Sequence, residues 1–369
     1  MGLFSSPENY LGIDIGSSSI KLVEMANEKG RPKLLTYGYM EQKTDILKSK
    51  DEKAIDGAAK SIVDLCAKSK TSSKKVVAAL PSFTVFSSII SLPEMPKKEI
   101  ESAIEWEAKK FVPMPLDEMI LDWTILENFD SRNDTPIASP NQTENQEQKI
   151  AQKPGKNIKV LLTAAPQNLV TKYMEIVQRA GLQIVSLETE AFALERSLVG
   201  HDPSAVMIVD IGANTTSIII TRASIPIINR SIDLGGESIT KTIANSLNIL
   251  PDRAEQFKRD YGLSLNADDT SQVPKRIEFM ISSIVNEIRY VLTLYQSQNQ
   301  GTVEKIILAG GSAWLPNLSD YLKKTLNMKV FIGDPWARVI YPQDLQPVLQ
   351  ELGPRMAVSV GLAMRQITS

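Results

Sequence analysis

The segment LGIDIGSSSIKLVEM, residues 11–25, recurs as MIVDIGANTTSIIIT, residues 207–221. Each copy runs an apolar stretch of strand length into Asp-Ile-Gly, passes through small hydroxyl- or amide-bearing residues, and resumes as a second apolar stretch. Apolar runs that end at a glycine read as buried strands of an α/β sheet, and a second run across a short turn reads as the hairpin partner. The repeat therefore predicts two hairpins of one design, the mark of an internal duplication. A third run, Lys305 to Leu308, enters Ala-Gly-Gly-Ser at Gly310 and Gly311, and a helix is expected to start near Pro316.

A duplication needs room, and 369 residues exceed the roughly 100–200 usual for one domain, so two or more compact units are expected. A net charge of -2 supplies no electrostatic footprint for nucleic acid, and no nucleic-acid partner is expected. One cysteine, Cys66, and one histidine, His201, exclude an internal disulfide and a Cys/His zinc site. Both read as structural, Cys66 on the apolar face of a helix and His201 in a polar surface connection. The opening MGLFSSPENYLGIDIG lacks the basic-then-apolar pattern of a signal peptide. Runs such as VMIVDIG and KIILAGG are far shorter than the roughly 20 residues a membrane-spanning helix requires. A cytoplasmic, reducing setting is expected.

Between the two copies, residues 97–126 place Ile100, Ala103, Ile104, Ala108 and Phe111 on one helical face before Pro113 and Pro115 halt the helix, and EMILDWTIL reads as a strand. Residues 130–157 are polar and nearly free of large apolar side chains, so a mobile loop is expected. KVLLTAAP and QNLVTKYMEIVQRAGL then form a strand and a helix closed by Gly181. After the second copy, SLNILPDRAEQFKRDYGL reads as a helical subdomain. A long helix follows at about 274–298, whose Ile277, Ile281, Ile284, Ile288, Val291 and Tyr295 read as a core face rather than a coiled-coil seam.

A carboxylate that ends a buried strand is costly unless it meets a cation or hydrogen-bond donors, and Asp14 and Asp210 stand at such ends. Each precedes a turn whose backbone N–H groups and hydroxyls suit an anion. Two such turns facing one another suit a polyphosphate, with the aspartates holding Mg2+ through its waters, since Mg2+ keeps much of its hydration. One Asp-Gly turn alone would be ordinary hairpin chemistry. Three strand-to-glycine turns in this order, with GGESITKTIANSL between the second and third, are far more specific. GGESITKT is not a phosphate loop of the Gly-Lys-Thr type, because Thr240 stands where that motif requires glycine.

These turns resemble the actin, heat-shock-chaperone and sugar-kinase ATPase superfamily, in which duplicated RNase H-like halves enclose ATP. Within it, IEWEAKKFVPMPLDEMILDWTIL, VLLTAAPQNLVTKYMEIVQRAGLQIVSLETEAFALER and MAVSVGLAMR resemble the PilM family, actin-like cytoplasmic components of type IV pilus assembly related to the cell-division protein FtsA. The resemblance covers nearly the whole chain outside 130–157. It implies an α/β fold of two RNase H-like halves carrying a small inserted α+β subdomain. Subdomain 1A would span 1–80 and about 186–202, the insert 1C 81–185, subdomain 2A 203–232 and about 274–369, and 2B 233–273.

The resemblance also implies ATP or ADP with Mg2+. Asp14 and Asp210 match the positions that hold metal-bound water. Gly16, Ser17, Ser18, Ser19 and Lys21 match the first phosphate turn, and Gly212, Ala213, Asn214, Thr215 and Thr216 the second. Gly310, Gly311 and Ser312 match positions beside the adenosine, and Glu237, Thr240 and Lys241 positions facing ribose and base. Glu190, ahead of a small-residue helix in ETEAFALER, matches the carboxylate that orients the attacking water, with Glu188 as the competing choice. Phosphoryl transfer to water depends mostly on positioning and charge, so no nucleophilic side chain is implied, and any ATPase activity is expected to be weak.

The family's partner is PilN, a bitopic membrane protein whose short N-terminal cytoplasmic peptide docks between the first subdomain and the insert. Trp106, Phe111, Val112 and Met114 are candidate anchors for that peptide, with the insert's own core as the competing role. FtsA-like relatives attach to membranes by a C-terminal amphipathic helix, whereas GLAMRQITS directly follows a core helix, so association with the inner face of the cytoplasmic membrane is expected through a protein. The pilus motor ATPases are further candidate partners. The leading expectation is a nucleotide-binding scaffold of the pilus inner-membrane platform. The alternative is an FtsA-like, filament-forming cytoskeletal or cell-division protein.

Overall fold

The computed structural model describes residues 9–42, 51–112, 114–126, 157–264, 272–298 and 301–368. The first copy of the repeated segment folds as strand β1 (Asn9–Ile15) antiparallel to β2 (Ser19–Glu28), and β3 (Arg31–Glu41) extends the meander. Helix α1 (Glu52–Ser69), capped by the Asp51 carboxylate, returns the chain to β4 (Lys75–Leu80), parallel to β1. The chain then leaves this sheet to build an insert of β5 (Phe86–Pro93), α2 (Lys97–Phe111), β6 (Met119–Ile125) and β7 (Asn157–Pro166). It re-enters through α3 (Gln167–Arg179) and β8 (Gln183–Thr189), and leaves along α4 (Glu190–Leu198). The second copy repeats the meander as β9 (Val206–Ile211), β10 (Thr216–Arg222) and β11 (Ile225–Ile232). Helices α5 (Gly236–Leu247), α6 (Pro251–Tyr261) and α7 (Gln272–Ser297) lead to β12 (Lys305–Ala309), α8 (Leu318–Leu326), β13 (Lys329–Ile332) and α9 (Gln346–Met364).

The two large sheets share one topology, β3-β2-β1-β4-β8 and β11-β10-β9-β12-β13, and the insert forms a third sheet, β5-β7-β6. In each large sheet the meander is antiparallel and the last two strands run parallel to its first. This is the duplicated RNase H-like α/β plan that the family resemblance implies, with the repeated segment supplying the first hairpin of each half. Period-2 alternation then assigns every side chain a face. On β1, Leu11, Ile13 and Ile15 pack with Ile62 of α1 and Tyr173 of α3, which leaves Gly12 and Asp14 on the opposite face. On β9, Met207, Val209 and Ile211 pack with Ile277, Ile281 and Ile284 of α7, which leaves Ile208 and Asp210 opposite. The aspartates therefore lie on the two faces that share a core built from Val77, Ala79, Ala193, Leu194, Ile208, Ala357 and Leu362. That core places α4 and α9 between the sheets. Gly12 lets α9 settle on β1, since a side chain there would collide with the Ser359 carbonyl.

The long helix expected at about 274–298 is α7, and its six predicted core positions are fully buried. Its apolar face is taken up by the second sheet, which is why it is a core helix. Gly181 adopts φ +71° just past α3, as its closing role requires. Two elements pack differently from the boundaries expected. Tyr173, Ile176 and Val177 of α3 fill the core of the first sheet, so the helix packs outside the insert to which 81–185 assigned it. Met356, Val360, Ala363 and Met364 of α9 pack on Val23, Met25 and Leu34 of the first sheet, although 274–369 was expected with the second half. The segment before α9 also bonds to β3, with the Leu34 N–H on the Ile340 carbonyl at 2.9 Å, and so covers that edge strand. Residues 130–156 of the expected mobile loop lie outside the described residues. Among the described residues, no helix is long and apolar enough to cross a membrane.

Candidate functional site

Register decides what meets Asp14. In the β1–β2 hairpin it stands directly opposite Lys21, and Lys21 Nζ lies 2.8 Å from Asp14 Oδ2, with only 13% and 6% of the two side chains exposed. The equivalent register in the second copy sets Asp210 opposite Ser217, whose hydroxyl is 3.0 Å from that of Ser231. Burial works against the Lys21 charge, but Asp14, then Asp210 and Glu190, outweigh it and raise the ammonium's pKa. Burial, opposed by Lys21 and reinforced by Asp14, pushes Asp210 up to about 6. Burial, followed by the charges of Asp14 and Asp210, pushes Glu190 up to about 8, although the Ser82 N–H donates to its Oε2 at 2.8 Å. Lys21 thus pairs with Asp14, and the charges of Asp210 and Glu190 add to its hold on the proton. Glu188, the competing choice, is engaged elsewhere: Arg196 donates to both of its oxygens at 2.7 and 2.9 Å, and Arg365 adds a third bond at 3.1 Å.

The two turns are built alike. The Gly16 N–H donates to the Ser19 carbonyl at 3.0 Å, and the Gly212 N–H to the Thr215 carbonyl at 2.9 Å. Gln42 fastens the first turn, its side-chain amide donating to the Gly16 carbonyl at 2.6 Å. Gly16, Ser17 and Ser18, and Gly212, Ala213, Asn214 and Thr215, are partly exposed, while Ser19 is buried. Thr216 is fully buried, and its hydroxyl donates to the Leu234 carbonyl at 2.6 Å, which ties down the hairpin.

The start of α5 rests on the second turn, the Gly236 N–H donating to the Gly212 carbonyl at 2.9 Å and the Glu237 N–H to the Ala213 carbonyl at 2.8 Å. A β-carbon on Gly236 would lie 2.6 Å from Ser312 Oγ, so the Gly-Gly-Ser turn after β12 abuts the same helix start. Gly310 has φ +83°, and a β-carbon there would fall 2.5 Å from Asp210 Oδ1; glycine lets the chain pass over that carboxylate. Thr240 points inward, bonded to Glu255 Oε2 at 2.5 Å and to Lys258 Nζ at 2.9 Å, and so ties α5 to α6. Glu237 and Lys241 pair with each other at 3.0 Å on the exposed side of α5.

Sequence reading did not single out Arg355. Its guanidinium lies over the Tyr39 ring, 4.9 Å from the centroid, and a β-carbon on Gly311 would be 3.6 Å from its Nε. Tyr39 in turn stands opposite Lys21 in the β2–β3 register. Burial raises the Tyr39 pKa, with Arg355 and Lys21 opposing the rise and Glu41 adding to it. No local motif marks such an arginine, because only the return of α9 onto the first sheet brings it here.

The donor set suits a hydrated divalent ion shared with phosphate oxygens. Among the described residues no three His, Cys, Asp or Glu side chains converge closely enough to hold a metal by themselves. Asp14 and Asp210 instead approach from two strand ends, Asp14 buried and Asp210 and Glu190 half-buried, and the raised Asp210 and Glu190 are what a partly desolvated acidic cluster shows when positive charge is short. On the insert, the expected anchors divide: Trp106 and Met114 are 62% and 40% exposed, whereas Phe111 and Val112 pack into the insert core. Lys110 Nζ sits 3.8 Å from the centre of the Trp106 ring. His201 is exposed, and Cys66 is half-buried against the core of the first sheet.

Residues 12–138 and 145–367 match the family model described as type IV pilus assembly protein PilM. A chain of a solved PilM-PilN type IV pilus biogenesis complex is similar with a TM-score of 0.79 at 30% identity, covering 97% of this chain and 98% of that one. MreB5 of Spiroplasma citri bound to AMPPNP shares the fold, with a TM-score of 0.52 at 12% identity over 98% of this chain and 97% of that one. The cell-division protein FtsA of Neisseria meningitidis is 22% identical over 268 residues, 66% of this chain and 61% of that protein. FtsA of Bacillus subtilis is 23% identical over 198 residues, 47% of this chain and 44% of that protein. The match thus spans only 44% to 61% of the length of these two curated relatives. With both halves and the insert inside the matched residues, the chain belongs to the family of the type IV pilus assembly protein PilM.

Proposed function

We propose that the chain is an ATP-binding, actin-like scaffold of the type IV pilus inner-membrane assembly platform. The observation that carries the nucleotide part is geometric: the two Asp-Ile-Gly turns close on equivalent Gly-to-carbonyl bonds, their aspartates lie on the two sheet faces that share one core, and Lys21 is bonded to Asp14. Mg2+ bound with ATP or ADP would supply the positive charge this cluster lacks and polarise the phosphate chain. Asp14 and Asp210 hold its waters. Lys21, an ammonium with three donors, keeps Asp14 and still has hydrogens for a phosphate oxygen. Gly16 to Ser19 and Gly212 to Thr215 line the phosphates, Gly310 to Ser312 pass beside the adenosine, and Glu237 and Lys241 border the ribose and base. Glu190 holds a water at the edge of the cluster and supports at most slow hydrolysis.

The partner part rests on family membership and on the exposed Trp106 and Met114 of the insert. Apolar side chains of that size suit the N-terminal cytoplasmic peptide of a PilN-like bitopic membrane protein, which would bring the chain to the inner face of the cytoplasmic membrane indirectly. The similarity to a chain of a solved PilM-PilN type IV pilus biogenesis complex supports this reading. The motor ATPases of the pilus would meet the same scaffold. Calorimetric titration with ATP, first with Mg2+ and then with EDTA, tests the nucleotide part: Mg2+-dependent binding at micromolar concentrations is expected, and no binding in either condition contradicts it. The FtsA matches favour a second reading, a filament-forming protein, and Mg-ATP-dependent pelleting at low micromolar protein would select it.

A further inference from the structure

Among the described residues, the half-buried Arg196 and Arg338 are held by acceptors. Arg196 donates to Glu188 and to the Gly361 carbonyl, and Arg338 to the Arg196 carbonyl. Arg355 differs: among the described residues it has no carboxylate within ion-pair distance, and its close partner is the face of Tyr39. An aromatic face attracts a guanidinium but accepts none of its five N–H donors in the plane of the fork. Those donors lie beside Gly311, in the turn that passes over Asp210. Tyr39 faces Lys21 across the β2–β3 register, so one ring sits next to both cations. An anion that reaches Lys21 therefore enters beside a second cation that has no carboxylate partner among the described residues and whose plane the ring already fixes.

We propose that Arg355 is a further binding residue of this site, its guanidinium taking a phosphate group of the bound nucleotide while Tyr39 holds its plane. The proposal rests on the nucleotide reading above. A planar fork meets two phosphate oxygens at once, which a lysine at the same place does not reproduce. Because α9 packs on the first sheet and Gly311 belongs to the second half, a phosphate held here touches both halves. The site then favours nucleotides over nucleosides through a residue outside both repeated turns.

Calorimetric titration of the full chain with Mg-ATP, Mg-ADP and adenosine, for wild type, Arg355→Ala and Arg355→Lys, tests this. Arg355→Ala should weaken ATP and ADP by about tenfold or more and leave adenosine unchanged, the size expected for losing a charge-assisted bond. Arg355→Lys should fall between the two, and it keeps the test readable if the alanine variant folds poorly. Wild-type nucleotide affinity in both variants, or an equal loss for adenosine, overturns the assignment of Arg355. Absence of nucleotide binding by the wild-type chain overturns the reading of the site itself.

Discussion

Asp14 faces Lys21 and Asp210 faces Ser217 across equivalent hairpins, so both hairpins carry the carboxylate but only the first sets a lysine opposite it. The shortage shows in Asp210 and Glu190, both pushed upward. A separate buried acid shows the same physics away from the site. Glu195 of α4 is 5% exposed and leaves Oε1 without a hydrogen-bond partner among the described residues. Burial, partly offset by Arg196, Ser224 and Arg338, pushes it from 4.5 up to about 7. The folded chain therefore keeps this proton where an unfolded chain releases it, and Glu195 costs stability increasingly as pH rises from 4.5 through about 7. Glu195→Gln, neutral throughout, should melt near wild type at about pH 5 and above it at about pH 8, read by scanning calorimetry. A difference that does not grow with pH contradicts this. The strand-end aspartates were legible in the sequence because an apolar run announces where it stops. Glu190 was matched from the sequence with Glu188 as its competitor; the bonds that engage Glu188 were not legible, because they include one from Arg365, 177 residues further along the chain.

At the scale of elements, the crossing of α4 and α9 joins the two sheets. A side chain on Gly361 would collide with the Ala193 carbonyl, so the two helices approach at backbone distance. Gly361→Ala forces them apart and should cost roughly 1–3 kcal/mol, the usual penalty for overpacking. Urea denaturation followed by circular dichroism reads this as a lower midpoint at unchanged slope, and an unchanged midpoint contradicts the crossing. Strands β1, β2, β9 and β10 and helices α2 and α7 were legible from local pattern alone. The placement of α3 and α9 was not. An amphipathic face says that a helix is covered without saying by which sheet, and Gly12, the residue that admits α9, reads in sequence as one letter of an apolar run.

At the scale of the molecule, two sheets of one topology turn their aspartate faces toward each other, and the insert extends from the first without entering the shared core. The duplication was readable as a superfamily signature, while the segment carrying Trp106 and Met114 distinguished this family from others on the same fold. Arg355 became visible only once the chain was folded. The account holds that Mg-nucleotide binds between the two Asp-Ile-Gly turns, and the most direct measurement is calorimetric titration of wild type and Asp210→Ala with Mg-ATP. Burial already disfavours the charge of Asp210, so its removal should leave the melting temperature undiminished while Mg-ATP binding is lost. Equal affinity in the two proteins would contradict the account.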